Sequence, residues 1–138
     1  STSIYDSGIR PIYFTDEPGI QGALGYAKFG YTEEEKHIKK IQMHWKDIER
    51  LKEESAVQSI WQADKLLDFA LEKSGFSGSL GEKLKKASSV FSDLDGVWAA
   101  HKLRNRMAHE MDHRAKAFEV KFALRMYKKA LSDLGVPL

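Results

Sequence analysis

The feature that most constrains the fold is a series of helix-start signals in residues 32–138. Thr32 and Glu35 match a capping box, in which a hydroxyl group and a carboxylate each satisfy a free backbone N–H group of the first turn, and Ser79 and Glu82 match a second. Ser55 is a further candidate cap. Because each signal is followed by apolar residues three and four positions apart, the sequence predicts amphipathic helices.

The apolar spacing continues to the end of the chain. The first helix would bury a face made of Ile38, Ile41, Trp45, Ile48 and Leu51. The last would bury a face made of Phe118, Phe122, Met126, Ala130 and Leu134. Helices are expected at about residues 32–54, 55–75, 79–89, 92–110 and 114–134. Since we find no convincing strand and no internal repeat, we predict an all-α, up-and-down bundle of about five helices over residues 32–138.

Residues 1–31 differ in kind from the helical part, because glycine and proline punctuate them and aromatic residues give them apolar weight. This pattern predicts an irregular N-terminal arm. Disordered tails are usually poor in aromatic residues, which favours an arm ordered by packing on its own domain or on a neighbouring subunit. A flexible leader remains the alternative.

The composition limits the classes of function. At 138 residues the chain fits one domain, and its net charge of +2 means that any nucleic-acid contact is local. The absence of cysteine excludes thiolate metal sites and cysteine nucleophiles and is compatible with a cytoplasmic location. No apolar run approaches the ~18 residues that a bilayer requires, although the start at Ser1 leaves room for an upstream leader or membrane anchor.

One cluster carries the candidate chemistry: Arg104, Asn105 and His109 occur at spacings that allow them to converge on one phosphate. Histidine moves protons near neutral pH, and arginine clamps a phosphate and stabilises added negative charge. We therefore predict metal-independent RNA cleavage without a cofactor, with His109 as acid or base, Arg104 as charge stabiliser and Asn105 holding both in line. Weaker candidates for substrate binding are Lys102, Arg106 and His101.

The same residues carry a family resemblance. The order Arg104-Asn105-x-x-x-His109, late in a helical bundle, resembles the arginine, polar residue and histidine signature of the HEPN superfamily. The similarity covers roughly residues 45–135, and residues 63–67, 81–85 and 98–105 are similar to uncharacterised bacterial HEPN-like proteins. The resemblance implies a metal-independent endoribonuclease and a homodimer whose two motifs face each other across a shared cleft. Many HEPN domains instead serve as non-catalytic partners or dimerisers, so an interaction module using residues 1–31 is the alternative.

A second motif overlaps the first. Residues 109–113 read H-E-x-x-H, the pattern in which two histidines one turn apart bind zinc and the glutamate activates water. This pattern needs an unbroken helix across His109 and His113, whereas Asp112 resembles the cap of the following helix. We therefore favour a site without metal, and the end of the helix distinguishes the two hypotheses.

Several other residues have structural interpretations. Asp64 lies inside an apolar helix face and is expected to be buried, with a hydrogen bond toward the helix that carries Arg104. The lysine-rich residues 82–86 are expected to form a solvated face. The three tryptophans, Trp45, Trp61 and Trp98, are expected in the core rather than as platforms for stacked bases.

Overall fold

The fold is an all-α bundle, as predicted. A computed structural model of the chain describes residues 32–109 and 114–138. The helices in these residues are α1 (Glu33–Glu54), α2 (Ala56–Lys73), α3 (Leu80–Lys86), α4 (Leu94–His109) and α5 (Ala117–Asp133), with a 3₁₀ turn at Ser88–Val90 between α3 and α4. No strand occurs in the described residues. The predicted N-terminal arm, residues 1–31, lies outside them.

The predicted caps start the first three helices. The Thr32 hydroxyl group accepts from the Glu35 N–H group at 3.1 Å, and the Glu35 carboxylate lies 3.5 Å from the Thr32 backbone nitrogen. Ser79 and Glu82 make the same reciprocal pair at 3.2 Å and 3.0 Å. The Ser55 hydroxyl group accepts from Gln58 at 3.2 Å, so α2 begins immediately after α1 ends. Each such cap stabilises its helix by about 1 kcal/mol.

Helix α2 packs against α1, α4 and α5 and contributes much of the core. Its fully buried apolar side chains are Ile60, Ala63, Leu67, Ala70 and Leu71. Burying a large aliphatic side chain contributes roughly 1.5–3 kcal/mol, so this face holds the bundle together. A polar side chain on this buried face of α2 therefore meets neighbouring helices rather than solvent.

The start of α4 is fastened to the end of α5. The Asp93 carboxylate accepts from the Gly96 N–H group at 2.9 Å and caps α4. Ser92 donates to the Asp133 carboxylate through its backbone N–H group at 2.8 Å and its hydroxyl group at 2.9 Å. A Cβ atom at Gly96 would collide with Met126 of α5, so glycine permits the close approach of the two helices.

Two expectations about helix faces are wrong. The last helix begins at Ala117 rather than near Arg114, because the Glu119 carboxylate accepts from the Lys116 N–H group at 3.0 Å and closes the first turn there. Phe118 is two-thirds exposed instead of buried, because the buried face of this helix begins at Val120 and continues through Ala123 and Leu124. In the lysine-rich residues 82–86, Lys83 is buried rather than solvated, because the acidic side chains of Asp68 and Glu72 on α2 reach its ammonium group. No helix in the described parts of the chain is long and apolar enough to span a membrane.

Candidate functional site

A buried carboxylate, Asp64 of α2, organises the polar cluster beneath the candidate residues of α4. Its Oδ2 atom lies 2.7 Å from the Tyr127 hydroxyl group of α5 and 2.9 Å from His101 Nδ1 of α4. Its Oδ1 atom lies 3.7 Å from Arg104 Nε. The expectation that Asp64 is buried and bonds toward the helix carrying Arg104 is confirmed.

The contacts of Asp64 define the proton positions on His101. An ionised carboxylate has only acceptor oxygens, so His101 Nδ1 carries a proton and donates it. The neutral ring then has its lone pair on Nε2, which lies 3.4 Å from Asn105 Nδ2 and accepts from it. At the other end of the same amide, Asn105 Oδ1 accepts from Arg104 Nη1 at 3.3 Å. One arrangement of protons thus satisfies the three contacts together.

Arg104 is held in place while most of its donors stay unused. Its guanidinium carbon lies 4.0 Å from the centre of the Trp61 ring, a stacking contact that contributes about 0.5–2 kcal/mol. Only Nη1 donates a hydrogen bond to a described residue, although a guanidinium group has five N–H donors. Nε is buried and has no hydrogen-bond partner in the described residues, since 3.7 Å to Asp64 is too long. A buried donor without a partner is costly, which marks Arg104 as a candidate anion binder.

Tyr127 stays protonated at any working pH. Burial is the largest cause that raises the pKa of its hydroxyl group well above the ordinary value, followed by the negative charge of Asp64 and their hydrogen bond; Arg104 opposes the shift. The hydroxyl group is therefore a permanent donor to Asp64.

His109 lies apart from this cluster. It is the last residue of α4, one turn beyond Asn105, and its side chain is exposed. It makes no hydrogen bond or ion pair with any residue of the described ranges 32–109 and 114–138. The structure thus groups Arg104 and Asn105 with His101 and leaves His109 open at the end of the helix.

The weaker candidates Lys102 and Arg106 lie on a different face of α4. They line an open groove of about 750 Å³, together with Trp98, Lys85 and Asp95. Arg106 also pairs with Glu119 of α5 at 3.5 Å. The positive charges of Lys85, Lys102 and Arg106 suit this groove to weak contact with a phosphate backbone. The third weaker candidate, His101, does not line the groove and instead contacts Asp64.

The zinc hypothesis depends on residues that are not described. Glu110, Met111, Asp112 and His113 lie outside the described ranges, so the course of the helix beyond His109 is not described either. Within the described ranges, no group of three or more histidine, aspartate or glutamate side chains is placed to hold a metal ion.

Sequence reasoning missed two members of the cluster. Tyr127 lies in the apolar stripe of α5 and was indistinguishable from a core aromatic residue. Trp61 was expected to be core, but it is only half-buried and supports Arg104. Asp64 was the available signal for Tyr127, because a carboxylate on an apolar face requires donors from the helices packed against it.

Comparison with known proteins identifies no relative that would assign a role to these residues. No family model, no curated protein and no solved structure matches the chain.

Proposed function

We propose that this chain is a metal-independent endoribonuclease of the HEPN type, in which Arg104 stabilises the scissile phosphate and His109 transfers a proton. Asn105 orients the arginine before RNA binds. The single observation that carries the proposal is the state of Arg104: its guanidinium group is fixed by Trp61 and Asn105, while Nε and Nη2 donate to no described residue.

This geometry suits a phosphate that gains charge during reaction. Donors that are already oriented stabilise a transition state without further reorganisation, and each is worth about 10²–10³ in rate. The nearby Asp64 carboxylate is 3.7 Å from Nε and offsets part of the positive charge of Arg104. A bound phosphate therefore takes the outward-facing donors, while Asp64 keeps the arginine side chain in place.

RNA is the substrate that needs the fewest additional groups. Its 2′-hydroxyl group attacks the adjacent phosphorus, so the protein supplies proton transfer, charge stabilisation and alignment only. The groove with Lys85, Lys102 and Arg106 would bind neighbouring phosphates and make the affinity depend on salt concentration.

In this proposal two copies of the chain form the active unit, as the HEPN resemblance implies. His109 is exposed at the end of α4 and free to face the equivalent motif of a second copy. Size-exclusion chromatography with light scattering tests this part, and a monomer at the concentration of the activity assay would contradict it.

The test is cleavage of single-stranded RNA in EDTA. We expect Arg104→Ala and His109→Ala each to lose at least about 100-fold in rate. Arg50→Ala and His44→Ala are matched controls, because both residues are exposed on α1 and lie outside the cluster. Their rates should equal that of the wild type.

Two results would overturn the proposal: wild-type protein that cleaves no RNA, or cleavage that persists unchanged in His109→Ala. Mass spectrometry of the fragments adds an independent check. A 2′,3′-cyclic phosphate and a 5′-hydroxyl end are expected, because the 2′-hydroxyl group is the nucleophile.

The second candidate function is a non-catalytic interaction module that uses residues 1–31. The observation that favours it is apolar surface on the bundle, where Phe118 and Met43 are each about two-thirds exposed. In this hypothesis the aromatic residues of 1–31 cover such a surface on a second copy. Deleting residues 1–31 would then convert a dimer into a monomer, whereas an unchanged dimer would exclude it.

A further inference from the structure

Asn105 presents its amide to two groups of opposite hydrogen-bonding character. Its Nδ2 atom donates to His101 Nε2 at 3.4 Å, and its Oδ1 atom accepts from Arg104 Nη1 at 3.3 Å. Both distances are at the long end for hydrogen bonds, so the two contacts are weak. A ligand that offers one donor and one acceptor side by side would satisfy the same two protein groups.

An RNA nucleotide offers this pair. The ribose 2′-hydroxyl group is a donor, and an oxygen of the adjacent 3′-phosphate is a charged acceptor. Replacing the neutral amide by a phosphate at Arg104 exchanges a neutral hydrogen-bond partner for a charge-assisted one, which is about twice as strong. DNA carries the phosphate but lacks the donor that His101 Nε2 requires.

We propose that His101 Nε2 is the acceptor for the substrate 2′-hydroxyl group and the general base of the reaction, and that the Asn105 amide occupies this place until RNA binds. This inference rests on the proposed function, in which Arg104 binds the phosphate. His109 then acts as the general acid, a role that needs no orienting partner inside the bundle.

The step balances in atoms and protons. The 2′-oxygen forms a bond to phosphorus as its O–H bond breaks, and the proton passes to His101 Nε2. The bond from phosphorus to the 5′-oxygen breaks, and that oxygen receives a proton from His109. The products are a 2′,3′-cyclic phosphate end and a 5′-hydroxyl end.

His101 is better placed than His109 for the basic role. Asp64 accepts from Nδ1 at 2.9 Å, which orients the ring and stabilises the imidazolium ion that proton transfer creates. The other groups around the ring are Tyr127 of α5 on the same carboxylate, Arg104 and Asn105 of α4, and the Trp98 ring with its centre 6.0 Å away. Tyr127 and Arg104 lie against the same carboxylate, at 2.7 Å and 3.7 Å, and hold it in place beside the ring.

Two variants of His101 separate binding from proton transfer. Glutamine places an acceptor oxygen near the position of Nε2 but cannot take a proton at neutral pH, whereas asparagine reaches only the position of Nδ1. We expect His101→Gln to lose at least about 100-fold in kcat with little change in KM, and to lose the acidic limb of the pH–rate profile. His101→Asn should lose kcat and also weaken RNA binding. His44→Gln, on the exposed face of α1, is the control and should cleave like the wild type.

A titration of the wild-type protein tests the same contact without a variant. ¹⁵N-detected NMR of the histidine rings should show the His101 Nε2 resonance moving when a ribonucleoside 3′-monophosphate is added. The 2′-deoxyribonucleoside 3′-monophosphate should bind about tenfold more weakly, the equivalent of one hydrogen bond, and leave that resonance in place.

The two proposals fail separately. Wild-type protein that cleaves no RNA overturns the proposed endoribonuclease, and the titration alone then decides whether His101 accepts the 2′-hydroxyl group. Wild-type rates in a folded His101→Gln variant overturn the inference while the endoribonuclease stands. Equal binding of the ribo and deoxyribo nucleotides, with His101 Nε2 unmoved, overturns the inference whatever the cleavage assay gives.

Discussion

Helix α2 carries two buried charge clusters that look alike in composition and differ in how completely they are paired. One is centred on Asp64, whose side chain is 9% exposed and meets donors from α4 and α5. The other is centred on Lys83 of α3, whose side chain is 4% exposed and meets Asp68 and Glu72 of α2. Asp64, Asp68 and Glu72 are spaced four residues apart, so one face of α2 supplies both.

The Lys83 cluster is closed. Its ammonium group lies 2.9 Å from the Asp68 carboxylate, 3.5 Å from the Asp68 carbonyl oxygen and 3.6 Å from the Glu72 carboxylate. The side chains of Asp68 and Glu72 are 43% and 66% exposed, so water hydrogen-bonds to their remaining acceptor positions. Nothing in this cluster is left to bind a ligand.

In the Asp64 cluster the carboxylate is the buried partner, and it accepts two hydrogen bonds, from Tyr127 and His101. Arg104 Nε has no hydrogen-bond partner among the described residues, and His101 Nε2 has only a 3.4 Å contact. Burial of charge alone therefore does not distinguish a structural ion pair from a candidate binding site. Hydrogen-bonding groups that lack a close partner do.

The largest expected difference between the clusters follows from removing one carboxylate from each. Asp64→Ala leaves the buried Tyr127 hydroxyl group and the His101 Nδ1 atom without their acceptor and removes the carboxylate nearest to Arg104, and we expect the free energy of unfolding to fall by about 3–5 kcal/mol. Asp68→Ala leaves the buried Lys83 ammonium group with the Glu72 carboxylate at 3.6 Å and the carbonyl oxygen of residue 68 at 3.5 Å, and we expect a smaller loss of about 1–3 kcal/mol. Urea denaturation of both variants measures the difference. Equal losses would mean that the two clusters are energetically equivalent.

A smaller effect is expected from Tyr127→Phe, which keeps the ring and removes one donor from Asp64. The buried carboxylate loses its 2.7 Å hydrogen bond, and we expect a loss of about 1–3 kcal/mol in the free energy of unfolding. The urea midpoint reports the loss, and the slope of the transition should stay constant. An unchanged midpoint would show that His101 and Arg104 satisfy Asp64 without the tyrosine.

Because the pKa of the Tyr127 hydroxyl group is raised in the folded chain, we expect the protein to lose stability at alkaline pH. The pKa of Tyr127 is raised in the folded chain, so its contribution is complete below the ordinary value of 10.0 and is lost as pH rises through that value toward the folded one. Relative to Tyr127→Phe, the wild type should lose about 1.4 kcal/mol for each pH unit in that range. Urea midpoints of both proteins on either side of that pH give the difference, in which other titrating groups cancel. A constant difference would contradict the shift.

The smallest effect is expected from Lys83→Met. Methionine fills the buried path of the lysine side chain, avoids the cost of desolvating a cation, and leaves Asp68 and Glu72 free to be hydrated. We expect a change within about 1 kcal/mol and no change in RNA cleavage or in the ribonucleotide titration. A loss of several kcal/mol in the free energy of unfolding would show that the Lys83 cluster stabilises the fold as strongly as the Asp64 cluster.

The amino-acid sequence was sufficient for the elements of this protein. Caps such as Thr32 with Glu35 and Ser79 with Glu82 act over three residues, and the apolar spacing of α1 and α2 acts over one or two turns. These local effects can be read from the sequence itself, and they predicted the number and order of the helices in the described residues. They also singled out Asp64, because a carboxylate on an apolar face is conspicuous without any fold.

Tertiary structure alone decided what surrounds that carboxylate. Tyr127 is 63 residues from Asp64 and His101 is 37 residues away, and no local spacing relates them. Packing of α2 against α4 and α5 brings them together, turns His101 inward and leaves Lys102 and Arg106 on another face. The same packing buries Lys83, which the sequence placed in solvent. Ion pairs and hydrogen-bond networks between helices depend on which faces meet, and that is settled by the whole core rather than by any one segment.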